Sequence, residues 1–165
     1  DNTFAKEHHS NVIVQRLKLK RGMIVVDIGC GTGRVTIPLA HTIGSMGKVV
    51  AVDVQTDMLK KVKAKAKGLK NIKYLQSKVG DGRLGKSKYD RALLVTVLGE
   101  IPNQEAALKE IFNALKPNSI LSITETIFDP HYQRLSKVRA LAHRTGFKEK
   151  KVFGKWFAYT IHLQN

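Results

Sequence analysis

The stretch Val25-Val26-Asp27-Ile28-Gly29-Cys30-Gly31-Thr32-Gly33 decides the fold. An apolar, strand-like run carries an acid near its end, three glycines then alternate, and an apolar helix pattern begins at Val35. Glycines at such a turn let the backbone bend sharply and approach a ligand where any side chain would collide. A second strand-like run, Val49-Val50-Ala51-Val52, ends at Asp53. An acid at that tip is placed to accept hydrogen bonds from both hydroxyls of a ribose. Together the two elements describe a nucleoside-containing cofactor lying across the ends of neighbouring parallel strands.

Spacing narrows the cofactor. A dinucleotide fingerprint reads Gly-x-Gly-x-x-Gly, with the third glycine packing helix against strand. Here that glycine comes one residue early, as Gly29-x-Gly31-x-Gly33, and Asp27 stands two places before the first. Asp27, Gly29, Gly31 and Gly33 therefore resemble the first motif of the class I S-adenosylmethionine-dependent methyltransferases, [Asp/Glu]-x-Gly-x-Gly-x-Gly. The resemblance implies that the loop, Cys30 included, backs the methionine part of S-adenosylmethionine. It also implies that Asp53 holds the ribose, with Val54 and Met58 forming an apolar wall near the adenine. Asp27 has a structural alternative, capping the glycine turn, and Met58 one as ordinary helix core.

The 165 residues suit one domain, 1–165, with one core, and 42% hydrophobic content is enough to fill it. No run approaches the roughly 18 apolar residues that span a bilayer, and no signal peptide precedes the first strand. A single cysteine, Cys30, excludes a disulfide framework and a cysteine-rich zinc site, so no metal and a cytoplasmic location are expected. Asp1 is not a natural start, so residues 1–20 read as an N-terminal helix and extension continued upstream in the gene product. The net charge of +16 points to an anionic partner such as RNA. Much of that excess, however, lies in Lys60, Lys61, Lys63, Lys65, Lys67, Lys70 and Lys73, around a stripe of Met58, Leu59, Val62 and Ala66. That spacing makes the lysines the solvent face of a helix, with little aromatic interleaving for base stacking.

Strand and helix periods alternate almost throughout. Helices are expected over residues 11–19, 34–43, 56–68, 103–115 and 131–144. Strands are expected over 23–28, 48–52, 72–76, 89–97, 119–126, 147–153 and 156–163, with Gly154-Lys155 joining the last two as a hairpin. The segment 79–88 holds at most one helical turn. Strands separated by helices run parallel, and a two-residue link demands antiparallel pairing. The periodicity thus predicts an α/β, doubly wound, mostly parallel sheet with helices on both faces and a terminal antiparallel hairpin. The resemblance supplies the order 3-2-1-4-5-7-6.

Ligands of open parallel sheets bind beyond the carboxyl ends of the strands. After the third strand the chain departs from the family's Gly-Asp-Ala-like element. Counting along the strand puts Ser77-Lys78-Val79 there; matching by motif puts Gly80-Asp81-Gly82 there. Lysine accepts no hydrogen bond, so the first choice leaves adenine recognition to backbone groups and the second gives it to Asp81. After the fourth strand, Thr96 is in reach of the methionine end, and Glu100 faces substrate or caps the next helix. The Asn/Asp-Pro-Pro-Tyr of amino-methylating DNA enzymes is missing. After the fifth, Glu125 precedes Asp129-Pro130-His131-Tyr132, which gathers acid, imidazole and phenol. Asp129 and Pro130 also read as a helix start. The catalytic candidates are Glu100, His131 and Tyr132. The expected activity is methyl transfer to a small molecule. The alternatives are methylation of RNA and a non-catalytic or partner-dependent cofactor-binding subunit.

Overall fold

The structure, a computed structural model, describes residues 3–165, so the expectation about Asp1 lies outside the described residues. The elements in chain order are α1 (Thr3–His8), α2 (Ser10–Arg16), β1 (Ile24–Ile28), α3 (Thr36–Ile43), β2 (Lys48–Asp53), α4 (Thr56–Lys65), β3 (Ile72–Gln76) and β4 (Tyr89–Val95). A 3-10 turn (Leu98–Glu100) follows, then α5 (Gln104–Ala114), β5 (Leu115–Thr126), α6 (Leu135–Arg144), β6 (Lys148–Lys155) and β7 (Ala158–Gln164). The strands form one seven-stranded sheet in the order β3-β2-β1-β4-β5-β7-β6. β1 to β5 run parallel, while β7 is antiparallel to both β5 and β6.

Central strands are buried on both faces, which explains their continuous apolar runs. Val26, Ile28, Val50, Val52, Ala92 and Leu94 pack on one side against Leu108 and Ile111 of α5 and Val138 and Leu141 of α6. Val25, Val49 and Leu93 turn to the other side, against Ile13 of α2 and Leu39 and Ile43 of α3. Ala51 meets Leu59 and Val62 of α4 there. Each fully buried Val, Leu or Ile contributes roughly 1.5–3 kcal/mol. Leu59 and Val62 of α4 and Ala66 just after it are buried, while Lys60, Lys61, Lys63 and Lys65 on α4, Lys67 and Lys70 in the turn beyond it and Lys73 on β3 are all exposed. The basic run is thus solvated surface spread over a helix, a turn and an edge strand.

Three local expectations are corrected. The hairpin turns at Trp156-Phe157 rather than Gly154-Lys155. Gly154, with φ +86°, stays inside β6 opposite Tyr159, where a side chain would run into the Ala158 carbonyl and the Glu7 side chain. The helix expected over 131–144 starts only at Leu135. The Asp129 carboxylate accepts from the His131 N–H at 2.7 Å, and the Glu125 carboxylate accepts from the Gln133 N–H at 3.0 Å. Those bonds fold residues 129–133 into a turn, so Asp129 does not cap α6. Finally, the short helix α1 precedes the N-terminal helix read from the sequence, which itself spans Ser10–Arg16. Among the described residues no helix is long and apolar enough to cross a membrane.

Candidate functional site

A cavity of about 310 Å³ opens beyond the carboxyl ends of β1, β2, β3 and β4, where the strand order reverses and open sheets take their ligands. Of the sequence candidates, Gly29, Gly31, Asp53, Val54, Met58, Lys78, Val79, Thr96 and Glu100 line it. Gln55, Ser77, Val95, Val97, Ile101 and Pro102 line it too. Ser77 is where the strand count expects it; the other five carry no motif of their own and were reachable only as neighbours of strand ends.

The glycine loop has three different reasons for its three glycines, all at positive φ. A Cβ on Gly29 would stand 2.5 and 2.7 Å from the methyls of Val97, so the loops after β1 and β4 touch there. A Cβ on Gly33 would meet Val62 of α4 at 3.0 Å, so this glycine serves packing and lies off the cavity wall. A Cβ on Gly31 would meet no protein atom within 4 Å. That space belongs to the cavity, and a ligand backed by the loop would use it.

Asp53 holds the loop in place. Its Oδ2 accepts from the Gly31 N–H at 3.0 Å and its Oδ1 from the Gln55 N–H at 2.9 Å, where α4 begins. Each carboxylate oxygen keeps a further lone pair for a ligand hydroxyl. Turn-capping and ligand binding are therefore compatible uses of one side chain. The cradle at Gly31 and the acceptor pair at Asp53 fit the methionine and ribose portions of S-adenosylmethionine.

Asp27 lies outside the cavity wall. The strand alternation that turns Val25 toward α3 turns Asp27 there also, and its carboxylate accepts from the Thr36 hydroxyl at 2.6 Å. Burial pushes its pKa up to about 6, against the Thr36 hydrogen bond that favours the charged form. Cys30 is likewise buried outside the wall, its N–H donating to the Val52 carbonyl at 3.0 Å, and burial raises its thiol far above the ordinary range. A thiol so suppressed is no nucleophile.

Of the two alignments after β3, Ser77, Lys78 and Val79 stand in the wall and Asp81 does not. The carboxylate of Glu110, on α5, accepts from the N–H groups of Gly80 and of Leu84, the latter at 2.9 Å, and draws that loop away. Thr96 sits at φ +53°, a conformation rare for a β-branched residue. Strain of that kind is concentrated at functional sites. Its N–H donates to the Thr124 carbonyl at 2.8 Å, which fixes the end of β4 over the cavity.

Glu100 faces the cavity, and the helix-capping duty falls to Asn103, whose Oδ1 accepts from the Ala106 N–H at 3.0 Å. His131 is off the wall but joined to it: its Nδ1 lies 3.8 Å from Glu100 Oε1 and 3.8 Å from Asp129 Oδ1. Tyr132 turns away, its hydroxyl donating to the Trp156 carbonyl. Glu125 is buried beneath this loop, with Oε1 unpartnered; burial pushes its pKa up to about 7. No cluster of His, Cys, Asp and Glu able to hold a metal occurs among the described residues.

Residues 19–159 match the family described as "Methyltransferase domain". A demethylmenaquinone methyltransferase of Lactobacillus johnsonii is 34% identical over 115 residues, covering 68% of this chain and 47% of the relative. One of Staphylococcus carnosus is 29% identical over 152 residues, covering 88% and 59%. The chain thus spans about half to three fifths of the length of these curated relatives. A SAM-dependent methyltransferase from Aquifex aeolicus superposes with a TM-score of 0.87 at 22% identity, over 99% of this chain and 93% of that one. A second, from Methanosarcina mazei, gives 0.76 at 18% identity over 93% and 96%. The chain belongs to the methyltransferase domain family, and its sheet has the order of the class I, Rossmann-like fold.

Proposed function

We propose that this chain transfers the methyl group of S-adenosylmethionine to a small-molecule acceptor, as one domain over residues 1–165. The observation that carries the reading is Gly31 at the mouth of an open cradle with Asp53 pinned beside it. When bound, S-adenosylmethionine supplies a methyl group made electrophilic by its sulfonium. In this reading the loop backbone at Gly29 and Gly31 supports the methionine portion, and Asp53 accepts from the ribose. Val54, Met58 and Val79 flank the base, and the backbone around Lys78 takes the place of an acidic adenine acceptor. Thr96 holds the end of the wall nearest the reacting centre.

Alignment of an acceptor atom with the methyl group can supply most of the acceleration. Glu100, on the wall at that end, is placed to take a proton from an acceptor hydroxyl, and His131 lies 3.8 Å from its carboxylate. A small acceptor is favoured by the names of the relatives, and demethylmenaquinone is the first candidate. It is also favoured by the wall, where Lys78 is the one cation among the described residues. An RNA methylase would need more basic groups at the mouth.

Incubation with methyl-labelled S-adenosylmethionine and either demethylmenaquinone in detergent or bulk RNA tests the reading. Label in the quinone supports it, and label in RNA alone replaces the acceptor class. Saturable cofactor binding with no transfer to any acceptor favours the non-catalytic alternative.

A further inference from the structure

A second cavity, about 440 Å³, lies at the other end of the sheet, toward the amino-terminal ends of β4 and β5. Its wall is basic from three directions: Arg16 and Lys18 come from the end of α2 and the turn after it, Arg91 from β4, and Lys150 and Lys151 from β6. No carboxylate lines it. The acid that reaches it is Glu7 on α1, whose carboxylate takes both terminal nitrogens of Arg16, one of them at 2.9 Å.

The remaining cations are not neutralised. Among the described residues, Lys18, Lys150 and Lys151 have no carboxylate within salt-bridge distance. Arg91 spends Nε on the Leu17 carbonyl at 2.9 Å and one terminal nitrogen on the Asp90 carbonyl at 2.7 Å, leaving the other uncommitted. Phe153 organises the group, with the Arg16 guanidinium 4.4 Å and the Lys151 ammonium 4.9 Å from its ring centre. The same ring meets His162 edge to face at 5.2 Å.

His162, on β7, is the buried part of this wall. It is only 7% exposed, and its Nε2 has no hydrogen-bond partner. Unpartnered buried polar atoms are uncommon in folded proteins and call for an explanation. Three exposed ammonium groups without a carboxylate partner, and Arg91 with only the neighbouring Asp90 charge to offset it, gather beside a desolvated imidazole. Three ammonium groups and the uncommitted terminal nitrogen of Arg91 around one cavity are a donor set for a multiply charged oxyanion.

We infer that this basic cavity is a second ligand site, built for a small phosphate- or diphosphate-bearing anion and separate from the methyl-transfer cavity. The anion would neutralise Lys18, Lys150, Lys151 and Arg91 together, beside the buried His162 ring. Burial first, then the charges of Arg16, Arg91, Lys151 and Lys18, push the His162 pKa down to about 4. An anion among those same charges moves it back up, so the ring reports occupancy.

The test is calorimetric titration of the whole chain with inorganic pyrophosphate at low ionic strength. It is made on the wild type, on Lys18→Gln/Lys151→Gln, and on Lys61→Gln/Lys65→Gln, which removes the same charge from α4. The inference predicts saturable 1:1 binding, weakened roughly ten-fold or more in the first variant and unchanged in the second. It also predicts a pyrophosphate-dependent rise in the His162 titration midpoint followed by NMR. Equal weakening in both variants would mean diffuse charge attraction and overturn the site, as would a His162 signal that ignores pyrophosphate. Binding of a short single-stranded RNA through Lys18 and Lys151, with none of pyrophosphate, would overturn it in favour of a nucleic-acid face.

Discussion

Replacing Gly31 by alanine separates what the fold needs from what a ligand needs. The residue sits at φ +52°, where a non-glycine side chain costs roughly 1–2 kcal/mol. The added Cβ meets no protein atom within 4 Å, and the Asp53 carboxylate still holds the loop through the Gly31 N–H at 3.0 Å. Gly31→Ala therefore loses about 1–2 kcal/mol of stability in urea denaturation and keeps its fold. A methyl group forced into a filled site adds about 1–3 kcal/mol against the ligand. The affinity for S-adenosylmethionine then falls roughly 5- to 150-fold in calorimetry. Affinity within about twofold of wild type, some 0.4 kcal/mol, would show that the loop does not face the ligand.

Asp53→Ala removes the anchor of Gly31 and Gln55 along with the ribose acceptor, so calorimetry should show cofactor affinity lower by about 1.5–3 kcal/mol. Unchanged affinity would remove the ribose assignment. Gly29→Ala, at φ +69°, drives a Cβ to 2.5 Å from a Val97 methyl, so it destabilises. In thermal unfolding the added Val97→Ala change recovers the part of the loss due to the methyl clash, while the backbone cost of about 1–2 kcal/mol remains. Failure of that rescue would mean the contact is not what constrains Gly29. Glu125, raised to about 7, binds its proton more tightly folded than unfolded. Its contribution to stability is therefore complete below about pH 4.5 and lost as pH rises through about 7. At about 1.4 kcal/mol per pKa unit the difference is about 3 kcal/mol. Glu125→Gln should accordingly be more stable than wild type at pH 8 and not at pH 4, in urea denaturation at both. Comparing the two proteins at each pH cancels Asp27, which shares this sign, and His162, which opposes it. A variant that loses stability at pH 8 would contradict the buried-charge account.

The strands and their directions were legible because apolar runs, helical crossovers and a short final link leave few choices, while their order came from the resemblance to the class I methyltransferases. The Gly31–Asp53 pair was legible for the same reason: both lie at strand ends that the periodicity locates. What stayed hidden depends on contacts distant in sequence. Glu110 decides the path of residues 80–84, and no local signal beside Asp81 announces an acid on α5. The late start of α6 comes from Glu125 holding Gln133, although Asp129-Pro130 has the composition of a helix start. The hairpin moved because a glycine–lysine pair is a good turn only where no strand partner claims it, and Tyr159 claims Gly154. Val97 carries no motif, yet its methyls are what make Gly29 necessary.

The central claim is a loop and an acid that hold S-adenosylmethionine, and calorimetric titration of the purified chain tests it most directly. S-adenosylmethionine and S-adenosylhomocysteine are titrated alongside NAD. The account predicts saturable 1:1 binding of the first two and none of NAD. Binding of NAD alone, or of none of the three, would contradict it.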